Sequence, residues 1–373
     1  MKVSRYSYAA EFPAVDSLLA EIRSMLVTGD YVLGPHVRAF EEDMAGYLGI
    51  DHVVTMNSGT DALTLMLEAA GVRAGDEVIT VANTFYATVA AVVRTGARPV
   101  LVDCRSADHQ IDPAAVESAM TPRTRAILAV HLYGRICDVG ALRRIADSHG
   151  VLLFEDCAQA VGATLEGRRA GTFGDAAAFS FHPSKNLAAA GDGGAVATAD
   201  PVLAERLRVL RWLGQTEQNE HVTVGYNTKL DALQALVLSA KLPYLDGWNA
   251  RRAVAASTYA SLLPPYVTPV GEVVTDGSHV YHLFQVRTRV RDACLAALRE
   301  AGVDAVVRYP VPIHLQAAFS SLGLRRGEFP NAERHSRETL VLPIRPDIDE
   351  EEIRHVCFLL NAASSRWAGE GDR

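Results

Sequence analysis

Apolar runs of strand length recur along the first half of this chain: EVITV from Glu77, PVLVDC from Pro99, AILAVHLYG from Ala126 and VLLFEDC from Val151. A strand with one wet face alternates polar and apolar residues; these runs do not alternate, so each is predicted to be covered on both faces. Helix-length stretches separate them: TFYATVAAVVRTG from Thr84, then Asp112 to Met120, then Val139 to His149. Antiparallel neighbours need only a tight turn, whereas parallel neighbours need a crossover of this size, so the pattern predicts a mainly parallel α/β sheet. Ligands of such sheets collect outside the carboxyl ends of the strands. The residues just past those ends are Thr84, Phe85 and Tyr86, then His131 and Tyr133, then Asp156 and Gln159.

Some of these positions have two readings. A carboxylate closing VLLFED is partly buried and needs either a cationic partner or the role of cap on the next helix, and Asp156 suits both. His131 reads as a core histidine as readily as a ligand, and Phe85 as simple core. Upstream, Pro13 to Leu26 and Val37 to Leu48 have helical periodicity, and HVVTM is a short β-rich run that stops at Asn57, Ser58 and Gly59 before TDALTLMLEAAGV resumes a helix. This order sets the amides of Gly59 and Thr60 at a helix N-terminus, which favours a phosphate; Ser58 or Thr60 can equally be an ordinary N-cap.

Gly171 to Gly194, GTFGDAAAFSFHPSKNLAAAGDGG, has Lys185 at its centre. The segment before it is small and apolar enough for a packed interior, Pro183 ends any regular element, and Gly191, Gly193 and Gly194 let the backbone approach a ligand. A desolvated lysine there has a lowered pKa and an amine able to attack a carbonyl, the chemistry of a Schiff base; a solvated lysine in a glycine loop is the competing reading. Beyond it come a strand at GGAVATAD, a helix from Pro201 to Leu213, and a helix opening near Leu230 with Tyr226, Asn227 and Lys229 at its entry. The pattern changes between Asp246 and Arg251, and 373 residues suit two domains, so a large α/β domain is expected over 1–245 and a smaller α+β domain over 246–373. The final SSRWAGEGDR is expected to fray.

A formal net charge of −8 with no basic run argues against nucleic-acid binding, so an anionic ligand must be held by local groups. The five cysteines are widely spaced and never form CxxC, which suggests neither a disulfide framework nor a zinc site; no metal is expected. MKVSRYSYAAEF has no apolar core of a leader and no later run is long enough to span a bilayer, so a cytoplasmic protein without membrane contact is expected.

Together, DYVLGPHVRAFE, NSGTDAL, HLYG, EDCAQA, SFHPSKNL with GDGGAV, GYNTKLDALQA and YPVPIHLQ resemble the DegT/DnrJ/EryC1/StrS family of sugar aminotransferases that use pyridoxal 5'-phosphate, over nearly the whole chain. The resemblance implies the aspartate-aminotransferase fold (fold type I), with one antiparallel strand in a mainly parallel sheet. It implies that Lys185 joins the cofactor as an imine and shuttles the proton, that Asp156 faces the pyridine nitrogen, that Gln159 donates near the phenolic oxygen and that Phe85 stacks on the ring. Gly59, Thr60 and Ser180 match phosphate-holding positions, and Asn227 matches one that a partner subunit contributes, which implies a homodimer with shared active sites.

It also implies an enzyme that moves an amino group through the pyridoxamine 5'-phosphate form, from an amino acid, L-glutamate by expectation, to a keto group of a nucleotide-linked sugar. YVLGP, NLAAAGDGG and YPVPIHLQ resemble the enzymes of TDP-linked 3-keto-6-deoxyhexoses in antibiotic amino-sugar biosynthesis. His182 in SFHP is closer to the 4-keto enzymes, Lys229 stands where arginine is common, and Arg308 where histidine is common, so these three and His314 are the expected substrate contacts. A 4-keto substrate is the alternative, and a non-catalytic cofactor-binding regulator a more distant one.

Overall fold

The computed structural model describes residues 1–12 and 15–368. A seven-stranded sheet forms its centre: β1 (His52–Met56), β2 (Glu77–Val81), β3 (Arg98–Val102), β4 (Thr124–Val130), β5 (Leu152–Asp156), β6 (Ala176–Ser180) and β7 (Gly194–Thr198), in the spatial order β1-β7-β6-β5-β4-β2-β3. The pairs from β6 across to β3 are parallel, and β7 runs antiparallel to both its neighbours. The unbroken burial of β2 and β7 explains why their sequences do not alternate. The expected fold class is therefore the observed one, with boundaries moved by a residue or two; the helix expected from Asp112 to Met120 is Pro113–Ser118, because the Asp112 carboxylate caps it by accepting from the Ala114 amide.

Several crossover helices start the same way. Ser58 Oγ accepts from the Asp61 amide at the head of Gly59–Ala69, and Asp138 and Asp200 cap Val139–His149 and Pro201–Arg211. Apolar residues of these helices and of Gly34–Leu48 and Tyr86–Arg94 close both faces of the sheet, with Leu63, Met66 and Leu207 on one side and Phe40, Val89 and Leu142 on the other.

A separate core lies around a three-stranded antiparallel sheet, β8 (Thr268–Pro269), β9 (Phe284–Arg287) and β10 (Thr339–Leu342). Tyr259, Leu298, Val356 and Leu360 fill it from the helices Leu245–Leu262, Arg291–Glu300 and Glu350–Ala368. Val3 joins it as well: it pairs with Val303, its carbonyl accepts from the Asp304 amide at 2.8 Å, and the Ser4 carbonyl accepts from Arg345. The same segment then passes the sheet, where buried Glu11 meets Arg252 at 3.7 Å and the Phe12 ring lies 3.9 Å from Lys241 Nζ.

The first long helix is Val15–Thr28; Pro13 and Ala14 of the expected helix lie outside the described residues. The expected fraying from Ser364 is corrected in part. The helix continues to Ala368, held by buried Leu360 and by Ser364 Oγ donating to the Leu360 carbonyl at 2.8 Å, and residues 369–373 lie outside the described residues. Among the described residues no helix is long and apolar enough to cross a membrane.

Candidate active site

A cleft of about 330 Å³ opens at the carboxyl ends of β2, β4, β5 and β6. Gly59, Thr60, Phe85, Asp156, Gln159, Ser180, His182, Lys185 and Arg308 all line it.

One end is built by backbone. Gly194 pairs with Met56 on one side and with Ser180 on the other, so β7 draws the head of Gly59–Ala69 against the end of β6. The approach leaves no room for side chains: a Cβ on Gly59 would lie 2.5 Å from Ser180 Cβ, and one on Gly194 would lie 2.4 Å from the Ser58 carbonyl oxygen. Since Ser58 Oγ already serves the Asp61 amide, the first amides of the helix, those of Gly59 and Thr60, remain as donors beside the Ser180 hydroxyl. An anion is the natural occupant of such a cup.

At the centre, Asp156 is 6% exposed. Its Oδ2 accepts from Thr88 Oγ1 at 2.8 Å and its Oδ1 from the Ala158 amide at 3.1 Å. Burial pushes its carboxyl above the usual range, against the opposing effects of the Thr88 and Ala158 bonds and the Lys185 charge. Lys185 opens onto the cleft and so keeps partial exposure, yet the protein around it desolvates the amine enough to lower it to about 8; Asp156 opposes that shift and Arg308 adds to it. An amine so shifted has far more of its neutral, nucleophilic form near neutrality than an ordinary lysine.

The walls are aromatic and polar. Phe85 is 47% exposed, and its ring centroid lies 5.6 Å from that of Tyr309. Gln159 Oε1 accepts from the Tyr133 amide at 2.7 Å, which fixes the amide so that Nε2 donates to the Tyr309 hydroxyl at 3.0 Å. His182 accepts from the Ser184 amide through Nδ1, which leaves Nε2 as its free nitrogen. The Arg308 guanidinium has no acidic partner among the described residues.

The remaining candidates are elsewhere. His314 does not reach the cleft: it is 3% exposed, its Nε2 meets Glu333 at 3.1 Å and its ring packs on Phe329, because the segment after Pro312 turns inward. Asn227 and Lys229 contact each other at the surface beside Asn57, whose amide donates to the Thr228 carbonyl, and they do not line the cleft of their own chain.

Three supporting residues escaped the sequence reading. Thr88 is hidden in an apolar helix. Asn186, next to Lys185, donates through Nδ2 to Asn249 Oδ1 at 2.8 Å and to the Val280 carbonyl at 3.0 Å, tying the lysine loop to the segment that leads into β9. A polar residue so close to the lysine in SKNL was its signal. Glu155 is fully buried, and its oxygens accept from the amides of Gly171, Phe173 and Gly174 and meet His131 Nε2 at 2.8 Å. With Cys157, His131 and Glu155 have the composition of a metal site, but their acceptor positions are already used, since His131 Nδ1 accepts from the Cys137 amide.

A family model described as DegT/DnrJ/EryC1/StrS aminotransferase matches residues 15–361. The erythromycin biosynthesis sensory transduction protein EryC1 of Saccharopolyspora erythraea is 49% identical, over 92% of this chain and 94% of its own length. A dTDP-3-amino-3,4,6-trideoxy-alpha-D-glucose transaminase of Streptomyces venezuelae is 46% identical, over 95% and 93%. The crystal structure of S. venezuelae DesV in complex with a ketimine intermediate superposes with a TM-score of 0.92 at 44% identity, covering 95% of this chain and 96% of that one.

Proposed function

This chain belongs to the DegT/DnrJ/EryC1/StrS aminotransferase family and is a pyridoxal-phosphate-dependent aminotransferase, and on that premise we propose that it moves an amino group from L-glutamate to the keto group of a TDP-linked 3-keto-6-deoxyhexose. The observation that carries the substrate class is the cleft itself: an amine held at about 8 and a buried carboxylate lie in it, and its wall holds a guanidinium without an acidic partner among the described residues. A nucleotide diphosphate is what such a guanidinium suits, because arginine binds phosphate bidentately. The printed name of the S. venezuelae relative supports amination at carbon 3.

The residues fit the cofactor. The cup formed by the Gly59 and Thr60 amides beside Ser180, which packs too closely on Gly59 to admit a Cβ there, matches its phosphate, and Asp156 matches its protonated ring nitrogen. The bound cofactor supplies an electron-withdrawing ring that takes up the charge left when a proton leaves the amino-bearing carbon. In this reading Gly59, Thr60 and Ser180 hold the phosphate, Phe85 stacks on the ring, Gln159 donates at its oxygen and Asp156 keeps the ring nitrogen charged. Lys185 Nζ, once neutral, takes the proton from the substrate carbon and returns it on the other side of the exchange. Arg308 and His182 meet the sugar nucleotide, while the buried His314 leaves that list.

We also propose a cytoplasmic homodimer divided into domains at 1–245 and 246–373. The buried, unpaired state of all five cysteines supports a reducing compartment, and the separate core, built from residues beyond Leu245 apart from Val3, supports the boundary while showing that the first residues pack with the smaller domain. Exposed Asn227 and half-buried Lys229, beside a loop where Val224 is 89% exposed, are the groups we assign to the partner's site.

The test is a panel of TDP- and UDP-linked 3-keto and 4-keto sugars with L-glutamate as donor, with the new amine located by NMR. Amination at carbon 3 of a TDP sugar is expected. Amination at carbon 4, the outcome His182 favours, or no product from any sugar nucleotide, rejects the reading.

A further inference from the structure

Behind Asp156 lies a short chain of hydroxyls. Thr88 sits in the first turn of the helix Tyr86–Arg94 and is wholly buried. Buried threonines in helices commonly return their proton to a carbonyl of their own helix. Thr64 does so here, donating to the Thr60 carbonyl at 2.9 Å. Thr88 does not: its Oγ1 lies 2.8 Å from Asp156 Oδ2 and 2.8 Å from Thr84 Oγ1.

The directions follow from the end of the chain. An ionised carboxylate only accepts, so the single Thr88 proton goes to Asp156, and Thr84 must donate to Thr88. With the Ala158 amide on Oδ1, each carboxylate oxygen then has one donor from within the protein and keeps acceptor capacity towards the cleft. Phe85, just before the helix Tyr86–Arg94, thus presents an exposed ring in the cleft, and three residues on the helix sets a hydroxyl against Asp156.

We propose that Thr88 is a positioning residue: its hydroxyl, turned by Thr84, fixes the Asp156 carboxylate in the orientation in which it meets the ring nitrogen of the cofactor. This rests on the reading of Asp156 given above. The Thr88 bond also opposes the upward push of burial on that carboxyl, so it helps to keep the charge that the ring nitrogen requires.

Thr88→Val keeps the shape and removes the hydroxyl. The dissociation constant for pyridoxal phosphate should rise about tenfold or more, the scale of a lost hydrogen bond to a charged group, and the pH at which the bound cofactor changes its absorption should move. Thr88→Ser should restore most of both. In the Asp156→Asn background Thr88→Val should change neither further, because the group it acts through is gone.

Thr84→Val, one bond more distant, should shift both readouts in the same direction by less, which keeps the test alive should Thr88→Val fold poorly. Wild-type affinity and pH titration in Thr88→Val, equal effects in both backgrounds, or an affinity loss matched by melting of the cofactor-free protein would each overturn the proposal. Should Asp156→Asn alone leave affinity and absorption unchanged, the reading of Asp156 fails and takes this proposal with it. A strong Asp156→Asn effect beside a silent Thr88→Val removes Thr88 only.

Discussion

Glu155 and Asp156 are consecutive on β5, so their side chains leave opposite faces of the sheet. Both are buried carboxylates, yet they shift in opposite directions. Burial is the largest influence on each and pushes each upward. At Glu155 the His131 imidazole and the loop amides outweigh burial and bring the carboxyl below its usual range; at Asp156 one hydroxyl and one amide do not. What separates them is the number of donors already committed, not depth. A carboxylate with every acceptor position taken holds loops together, whereas one with positions left over is where a ligand's proton can go.

The largest effect is expected from the group that faces the unsatisfied acid. Lys185→Ala should abolish turnover and alter the absorption of the bound cofactor, while the melting of the cofactor-free protein stays within about 0.5 kcal/mol of wild type. Turnover at the wild-type rate would end the contrast, because the cleft side of β5 would then hold no chemistry.

The two acids themselves should exchange penalties. Glu155→Gln breaks a buried pair and should cost about 3–5 kcal/mol of stability, with kcat of the folded fraction little changed. Asp156→Asn should lower kcat by about 10²–10³-fold, the scale of removing one preorganised electrostatic partner, with little loss of stability. Denaturant melts and steady-state rates on both variants check this, and equal effects on both quantities would erase the distinction.

At the cleft wall, Arg308→Ala should raise the KM for the sugar nucleotide about tenfold or more, as for one lost charge-assisted contact, and leave the KM for the amino donor nearly unchanged. An equal change in both would remove Arg308 from the sugar end.

The smallest effect is a pair of opposite slopes with pH. Glu155 titrates below 4.5 in the folded protein, so its stabilisation is complete above that value and is lost as pH falls through the folded pKa. Asp156 titrates above 3.8, so its contribution is present below that value and is lost as pH rises through the folded pKa. Relative to wild type, cofactor-free Asp156→Asn should therefore gain stability as pH rises from 3.8 through the folded pKa of Asp156, whereas Glu155→Gln should fall behind as pH rises to 4.5 and keep a constant deficit above it. Parallel curves for the two variants would contradict the comparison.

Much of this was legible in the sequence because its signals are local. Strand runs without alternation marked β2, β4 and β5, and helix-length stretches between them marked the crossovers. NSGT, EDCAQ and the glycine loop located the cleft by its ends. The direction of β7 was not legible from its own residues, since GAVAT is equally suited to either pairing, and the family resemblance implied one antiparallel strand without saying which. The helix Pro330–Glu338 was missed because its buried positions are partly polar: Glu333, His335 and Ser336 are paired inside, a pattern that hydropathy reads as surface. The burial of His314 was not legible either, since its charge type resembles a ligand contact and only packing shows it facing Glu333. Thr88 and Glu155 owe their importance to partners distant in the chain, which no window of sequence contains.

The pairing of Val3 with Val303 bears on the order in which the chain is made. A ribosome emits residues 3–12 well before the strand, helix and arginines that receive them. At about 5–20 residues per second, roughly 15–60 s pass before Val303 and Asp304 exist. Through that interval the parallel sheet can form, while Val3, Glu11 and Phe12 have either no partner or an incomplete one. Tyr6, which lines the cleft between these anchors, can take its place only after translation has passed the second core. Binding competence is therefore a late event in the life of each molecule, set by the distance along the message between two segments that end up side by side.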